Sequence, residues 1–351
     1  MTDKSYMHRC LWLAKNGLGY VSPNPMVGCV IVSGGKIIGE GYHAKFGQAH
    51  AEVNAIQSVL TQYPDHAHEL LKEATVYVSL EPCAHFGKTP PCADLLIRHE
   101  VKKVVIGNTD PFPGVNGKGI QKLSAAGIDV IQGIEEKECR HLNRRFFTRI
   151  EKHRPFIILK WAQTANGFFA PLEPVQKWIS SAYSKKLVHK WRTEEDAVLV
   201  GKNTVLHDNP QLSAREWSGR NPLRIVLDRN LDIPLGHHIF DHQAKTIVFN
   251  ELKTDVKDNV HYIQMEDMQH YLPQKIAFQL YLMDIQSVII EGGANILNQF
   301  ITAALWDEAR VFTAAVNWKT GITAPNIHGI VEEVLSLNSD KLILYKNTTN
   351  T

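Results

Sequence analysis

Thr75-Val76-Tyr77-Val78-Ser79-Leu80-Glu81-Pro82-Cys83, taken with His50-Ala51-Glu52 before it and Cys92 after it, decides the fold. Residues 75–80 are a short run rich in strand formers, so Glu81-Pro82-Cys83 closes a strand. Upstream, Val53, Ile56, Val59 and Leu60 recur at near-helical spacing, and His50 and Glu52 therefore open a helix over residues 51–60. Downstream, residues 91–98 read as a helix behind Pro90-Pro91, with Cys92 in its first turn. Working outward, residues 26–32 and 36–42 form a hairpin through Ser33-Gly34-Gly35, 103–106 and 128–131 are strands, and 117–126 is a helix. The alternation predicts a layered α/β unit.

One imidazole and two thiolates supply three tetrahedral positions for a zinc ion and leave a fourth for water, as a hydrolytic centre requires. Zinc brings the pKa of a bound water to about 7, and a carboxylate two residues from the histidine ligand is placed to accept and return its proton. Both ligand groups open helices, where the positive dipole end favours thiolate. Eight residues separate Cys83 from Cys92, so a loop bulges beside the metal. His85 in that loop is an alternative ligand, with Cys92 preferred because Pro90-Pro91 fixes the loop's return. Cys10, Cys29 and Cys139 read as small buried hydrophobes.

A chain of 351 residues with 44% hydrophobic residues is expected to hold two domains of ordinary size. The Arg- and Lys-rich stretch 144–155 changes character, giving boundaries of 1–146, a linker at 147–154, and 155–351. With 38 basic and 36 acidic residues, the net charge of +2 provides no general footprint for nucleic acid. No run of about 18 apolar residues appears, so no membrane partner is expected. The first residues lead into no secretory core, and five cysteines are an odd and sparse set, so the expected address is cytoplasmic.

In the second half, runs at 197–200, 223–227, 246–249, 288–290 and 309–312 alternate with helical patterns at 184–191, 267–281 and 294–301, predicting a second, mostly parallel sheet. Val288-Ile289-Ile290-Glu291-Gly292-Gly293-Ala294-Asn295 is a strand entering two glycines and a helix, a turn whose N–H groups can approach a phosphate. The stretch 201–215 reads as a polar loop.

Pro23-Asn24-Pro25-Met26-Val27-Gly28, His50-Ala51-Glu52, Glu81-Pro82-Cys83-Ala84-His85 with Gly87-Lys88-Thr89-Pro90-Pro91-Cys92, and Asp110-Pro111 with Gly117-Lys118-Gly119 resemble the bifunctional riboflavin-biosynthesis deaminase-reductase family. Lys160-Trp161-Ala162, Trp178-Ile179-Ser180, Arg192, the stretch 201–215, Arg224-Ile225-Val226-Leu227-Asp228 and Glu291-Gly292-Gly293 carry the similarity through the second half. The resemblance implies a cytidine-deaminase-like three-layer α/β/α domain followed by a dihydrofolate-reductase-like α/β domain. It implies zinc on His50, Cys83 and Cys92, with Glu52 as the catalytic proton carrier. Asn24 and His43 would hold the pyrimidine, and Lys88 and Asp110 the sugar-phosphate side. NADPH would meet Ala162, Trp178, Thr204, Asp208 and the turn Gly293, Ala294, Asn295, Ile296, Leu297 and Asn298. Lys160, Gln176, Arg192, Leu212, Arg215 and Glu291 would face the second substrate, two arginines suiting a ribose phosphate.

The implied activity is hydrolytic deamination of a diaminohydroxyphosphoribosylaminopyrimidine to 5-amino-6-(5-phosphoribosylamino)uracil, then NADPH-dependent reduction of the ribose to a ribityl chain. Its partner would be that small molecule and not nucleic acid, and the chain is expected to form a homo-oligomer. The alternative is a nucleic-acid base deaminase with a C-terminal binding module, and a non-enzymatic metal-binding assembly is a further one. Two positions depart from the family: Thr164-Ala165-Asn166-Gly167 stands where Ser-Leu-Asp-Gly is usual, and Gln176 where serine is common.

Overall fold

Thr2 begins the first element as a side-chain cap: its hydroxyl accepts the Ser5 N–H at 3.4 Å, and α1 (Asp3–Ala14) follows. The structure, a computed structural model, describes residues 2–86, 90–173 and 179–349. Lys88, Gln176 and Trp178 of the expected sites lie outside them. The chain divides into two compact units, Met1–His153 and Arg154–Thr351.

In the first unit α1 leads to the hairpin β1 (Gly28–Ser33) and β2 (Lys36–Tyr42), then α2 (Ala51–Gln62), α3 (Ala67–Lys72) and β3 (Thr75–Leu80). After these come α4 (Cys92–Arg98), β4 (Lys103–Asn108), α5 (Lys118–Ala125), β5 (Asp129–Gln132), α6 (Glu136–Leu142) and α7 (Arg144–Lys152). Among the described residues the sheet runs β2-β1-β3-β4-β5, antiparallel around β1 and parallel from β3 to β5. Alternate strand residues face opposite layers. Val76, Val78, Val104 and Ile106 pack with Ala55, Ile56, Ala93, Leu96 and Leu123 of α2, α4 and α5. Tyr77, Val105, Val30 and Val32 pack with Met7, Cys10, Leu11 and Cys139 of α1 and α6. Both faces of the sheet are thus covered, giving three layers.

Residues 147–152, expected to begin a linker, are the body of α7. Phe146 and Phe147 are buried against Leu80, and the basic run that suggested a linker supplies several of that helix's other positions.

The second unit contains β6 (Phe156–Thr164), β7 (Phe168–Ala170), α8 (Ala182–Glu194), β8 (Ala197–Gly201), α9 (Lys202–Asp208), β9 (Leu223–Leu227), β10 (Thr246–Asn250), β11 (Asp255–Lys257) and β12 (Val260–Gln264). It ends with α10 (Leu272–Leu282), β13 (Ser287–Ile290), α11 (Ala294–Thr302), β14 (Glu308–Ala314), β15 (Ile322–Thr323), β16 (Ile330–Leu337) and β17 (Asp340–Lys346). Among the described residues its large sheet runs β11-β12-β10-β9-β8-β13-β6-β14-β17-β16. The interior pairs from β12 to β14 are parallel, whereas β11 at one end and β17 and β16 at the other pair antiparallel. Leu272, Ile276, Leu280, Leu297 and Phe300 of α10 and α11 cover one face, and Val188, Trp191 and Val205 of α8 and α9 the other. Part of the stretch read as a loop, 201–215, is the helix α9; its single fully buried apolar side chain, Val205, leaves little periodicity to read. Among the described residues no helix is long and apolar enough to cross a membrane.

Candidate functional site

In open parallel sheets, chemistry gathers beyond the carboxyl ends of the strands. β3 delivers Glu81-Pro82-Cys83 there, β4 delivers Asp110, and the start of α2 brings His50 and Glu52 to the same edge. The His50 Nδ1 atom lies 3.6 Å from Cys83 Sγ and 3.4 Å from Cys92 Sγ, and the three ligand atoms are all within 4.8 Å of one another. A tetrahedral zinc with Zn–S of about 2.3 Å and Zn–N of about 2.0 Å has an S–N edge of about 3.5 Å, so the donor set fits that ion in both distance and chemistry. His85, the alternative ligand, is exposed and its ring packs 5.9 Å from that of Phe112. Among the described residues it is not part of the grouped donors.

Hydrogen bonds from Cys92 and then His50, against the cost of burial, bring the Cys83 thiol down to about 4. The Cys92 N–H also donates to Cys83 Sγ at 3.2 Å. Glu52 sits in the first turn of α2 with 3% of its surface exposed. Burial, and then the negative charge of Cys83, push its carboxyl up to about 7, where a group can both take and return a proton. His43 is buried, which lowers its imidazole below the ordinary value. Its Nδ1 lies 3.0 Å from the Ala49 carbonyl, which accepts its proton, so Nε2 accepts from the Asn24 amide at 3.2 Å. The ring stands edge-on to His50 at 5.3 Å. Asn24, His43, His50, Cys83, Cys92 and Glu52 therefore form one contiguous group. Asp110 is held at about 7 by burial and by the charges of Glu81 and Cys83, although its carboxylate accepts the Phe112 N–H at 2.8 Å.

The second unit gathers a different set. Glu291, just past β13, takes the Arg192 guanidinium on both oxygens at 2.9 and 2.8 Å, and Lys160 of β6 lies 3.5 Å away. Despite its burial, these two cations draw the Glu291 carboxyl down to about 2. Arg192 and Lys160 thus share the Glu291 carboxylate, and burial, only partly offset by Glu291, lowers the Lys160 ammonium below its ordinary value. Arg192 also donates to the Ser213 carbonyl at 3.1 Å, where the His189 ring nitrogen lies at 2.8 Å, which holds Leu212 and Arg215 beside the group. Leu212 itself is buried in the core, and Arg215 is exposed.

Gly292 lies where a Cβ would stand 2.5 Å from the Val200 Cα, so only glycine lets this turn lie against β8. The approach brings Gly293 beside Thr204. Ala294, Asn295, Ile296, Leu297 and Asn298 form the first turns of α11. Leu297 points into the core, whereas Asn295 and Asn298 are exposed. Ala162 is half-buried on β6, and Asp208 ends α9, its carboxyl raised by burial.

The departure at Asn166 has a structural basis. Its amide donates to the Trp318 carbonyl at 2.7 Å while its oxygen accepts the Trp318 N–H at 3.2 Å and the Thr164 hydroxyl at 2.8 Å. An aspartate could make only the accepting half. Sequence reasoning missed Glu81 and His189 as members of these groups. The only signal for Glu81 was its place beside Pro82-Cys83, and for His189 its place one helical turn from Arg192.

Residues 1–108 match the cytidine and deoxycytidylate deaminase zinc-binding region, and residues 155–316 match the RibD C-terminal domain. The riboflavin biosynthesis protein RibD of Aquifex aeolicus (strain VF5) is 41% identical over 346 residues, spanning 97% of this chain and 95% of that protein. The RibD protein of Escherichia coli (strain K12) is 36% identical, spanning 90% and 88%. The crystal structure of a diaminohydroxyphosphoribosylaminopyrimidine deaminase/5-amino-6-(5-phosphoribosylamino)uracil reductase from Thermotoga maritima superposes with a TM-score of 0.89 at 37% identity, covering 98% of each chain. Acinetobacter baumannii RibD gives 0.88 at 32% identity over 99% of each. With similarity running through both units and a zinc-type donor set at the edge of the first, the chain belongs to the RibD family of riboflavin-biosynthesis proteins.

Proposed function

We propose that this chain performs two consecutive steps of riboflavin biosynthesis, with the first unit deaminating and the second reducing. The observation that carries the proposal is the grouping of His50, Cys83 and Cys92 beside the buried Glu52. Similarity over nearly the full length to riboflavin proteins, in both units, favours it over a nucleic-acid base deaminase.

When bound, zinc acidifies a water molecule, and NADPH supplies a hydride. His50, Cys83 and Cys92 would hold the ion. Asn24 and His43 orient the pyrimidine, and Lys88 and Asp110 hold its sugar-phosphate side. Glu52 takes a proton from the attacking water, delivers it to a ring nitrogen, and assists the amine to leave as ammonia; one water is consumed and a carbonyl replaces the exocyclic amine. In the second unit the Gly293–Asn298 turn, Ala162, Thr204, Asp208 and Trp178 would hold NADPH. Lys160, Arg192, Arg215 and Glu291 would face the phosphoribosylaminouracil, with Gln176 and the backbone at Leu212 assigned to the same side by family resemblance, and the guanidinium groups would meet its phosphate. These residues would hold the sugar so that the hydride NADPH would supply could reach its anomeric carbon, with a proton taken up as the ribose opens to a ribityl chain.

The deaminase role extends over residues 1–146 and the reductase role over 155–351. A cytoplasmic location accords with a site that needs free thiolates and with Cys10, Cys29 and Cys139 being free and buried. The homo-oligomer is part of the same proposal: among the described residues β16 is the outer strand of the sheet, and it leaves Ile330, Val331 and Val334 exposed, a face a second copy would cover. Light scattering on the purified chain reads that directly, and a monomer at working concentration removes it. For the chemistry, purified protein given the diaminopyrimidine phosphate releases ammonia, whereas Glu52→Gln keeps its zinc and releases none. Undiminished release by that variant would remove Glu52 from its role.

A further inference from the structure

We infer that Glu81 is the positioning residue that ties the zinc-binding loop to the segment recognising the substrate's sugar-phosphate side. The inference rests on the deaminase proposal above. Glu81 follows β3 and precedes Cys83 by two residues, and 4% of its surface is exposed. Its backbone N–H donates to the Asn108 carbonyl at 2.8 Å, carrying the β3–β4 ladder one step past the strand. Its side chain then gathers four backbone donors from the segment after β4. Oε2 accepts from Asp110 at 3.1 Å and Gly117 at 2.9 Å, and Oε1 accepts from Gly119 at 2.9 Å and Ile120 at 3.3 Å.

Each donor has a reason to be there. Gly119 and Ile120 lie in the first turn of α5, whose N–H groups lack intrahelical partners, and the N-cap residue Gly117 has no side chain to offer them. Glu81 caps that helix from a distance in sequence. The fit is close: a Cβ on Gly119 would stand 2.0 Å from the Pro82 carbonyl oxygen, so the loop lies directly against the residue between Glu81 and Cys83. Among the described residues no Lys, Arg or His forms an ion pair with Glu81, so its compensation comes from oriented N–H dipoles. Only a carboxylate serves here, because four donors need both oxygens and an amide brings one. The consequence is mechanical: Asp110 cannot shift without pulling on a side chain two residues from a zinc ligand.

The test uses Glu81→Gln and Glu81→Asp in the full chain. The amide of Glu81→Gln turns its NH2 toward two of the four donors and frees either Asp110 and Gly117 or the first turn of α5. Losing charge-assisted hydrogen bonds of this kind raises KM for the phosphoribosylated diaminopyrimidine by about tenfold or more. The expected result leaves kcat within about threefold and zinc at one per chain, with Glu81→Asp intermediate because both oxygens remain. NADPH oxidation on the deaminated uracil stays unchanged, which shows the rest of the chain intact. With a riboside lacking the phosphate, wild type and Glu81→Gln converge, since the tethered segment then has little to hold. Equal losses on both substrates, unchanged KM, or loss of zinc in both variants would overturn the inference. A wild-type chain that releases no ammonia refutes the deaminase proposal instead, which keeps the two failures distinct.

Discussion

Replacing Glu291 by Gln removes the one carboxylate that Arg192 and Lys160 share while keeping its shape. The Arg192 contacts at 2.9 and 2.8 Å are bidentate, and burial costs the carboxylate, yet the two cations still lower it from its ordinary 4.5 to about 2. That difference corresponds to about 3 kcal/mol of folding stability at neutral pH, consistent with the roughly 3–5 kcal/mol lost when a buried ion pair loses one partner. The sign follows from the depressed value: the contribution is fully present above about pH 4.5 and disappears as the pH falls toward 2. Six of the seven tryptophans lie beyond residue 153, so their fluorescence during urea unfolding reports the second unit. At pH 7 the variant is expected to unfold at a urea concentration lower by roughly 1 M or more. Comparing the two proteins at each pH cancels the groups that do not face Glu291, and Lys160, the titrating partner that does, stays protonated in this acid range, so the gap narrows between pH 4.5 and 2. Identical midpoints at pH 7, or a gap that stays constant through that window, would refute the reasoning.

His189 gives a second acid response. Burial, and then the charges of Arg192 and Arg215, lower its imidazole from 6.5 to about 4, so the folded ring stays neutral while the unfolded one takes a proton. The contribution of His189 to the second unit's stability is therefore level above about pH 6.5 and falls as the pH drops from there toward 4; Glu291→Gln keeps this contribution and His189→Asn removes it. Asn166→Asp loses the bond donated to the Trp318 carbonyl and is expected to cost about 0.5–1.5 kcal/mol, read as a lower Tm of the second unit. Restoring the residue more usual in the family should thus weaken this chain, and a raised Tm would contradict the pairing.

The zinc group was legible in the sequence because its geometry is local: a histidine that opens a helix and a cysteine that ends a strand are fixed by the elements themselves. The hairpin around Gly34 and Gly35 was legible for the same reason. The role of α1 was harder to see, although Tyr6, Met7, Cys10, Leu11 and Ala14 are buried along it, because nothing local says what a terminal helix covers. The β16–β17 hairpin was missed since β16 is an edge strand whose residues are mostly exposed, leaving no clean alternation of apolar and polar positions. Glu81 and Ser213 act through partners that only the tertiary fold brings near: the first meets residues 110–120, and the second meets Arg192 and His189.

A coupled measurement of ammonia release and NADPH oxidation by one zinc-loaded preparation, given only the diaminopyrimidine phosphate, addresses the bifunctional chain directly. One ammonia per NADPH consumed is expected at completion, with ammonia alone when NADPH is withheld and neither with Glu52→Gln. NADPH oxidation without ammonia, or ammonia release that never leads to NADPH oxidation, would contradict it.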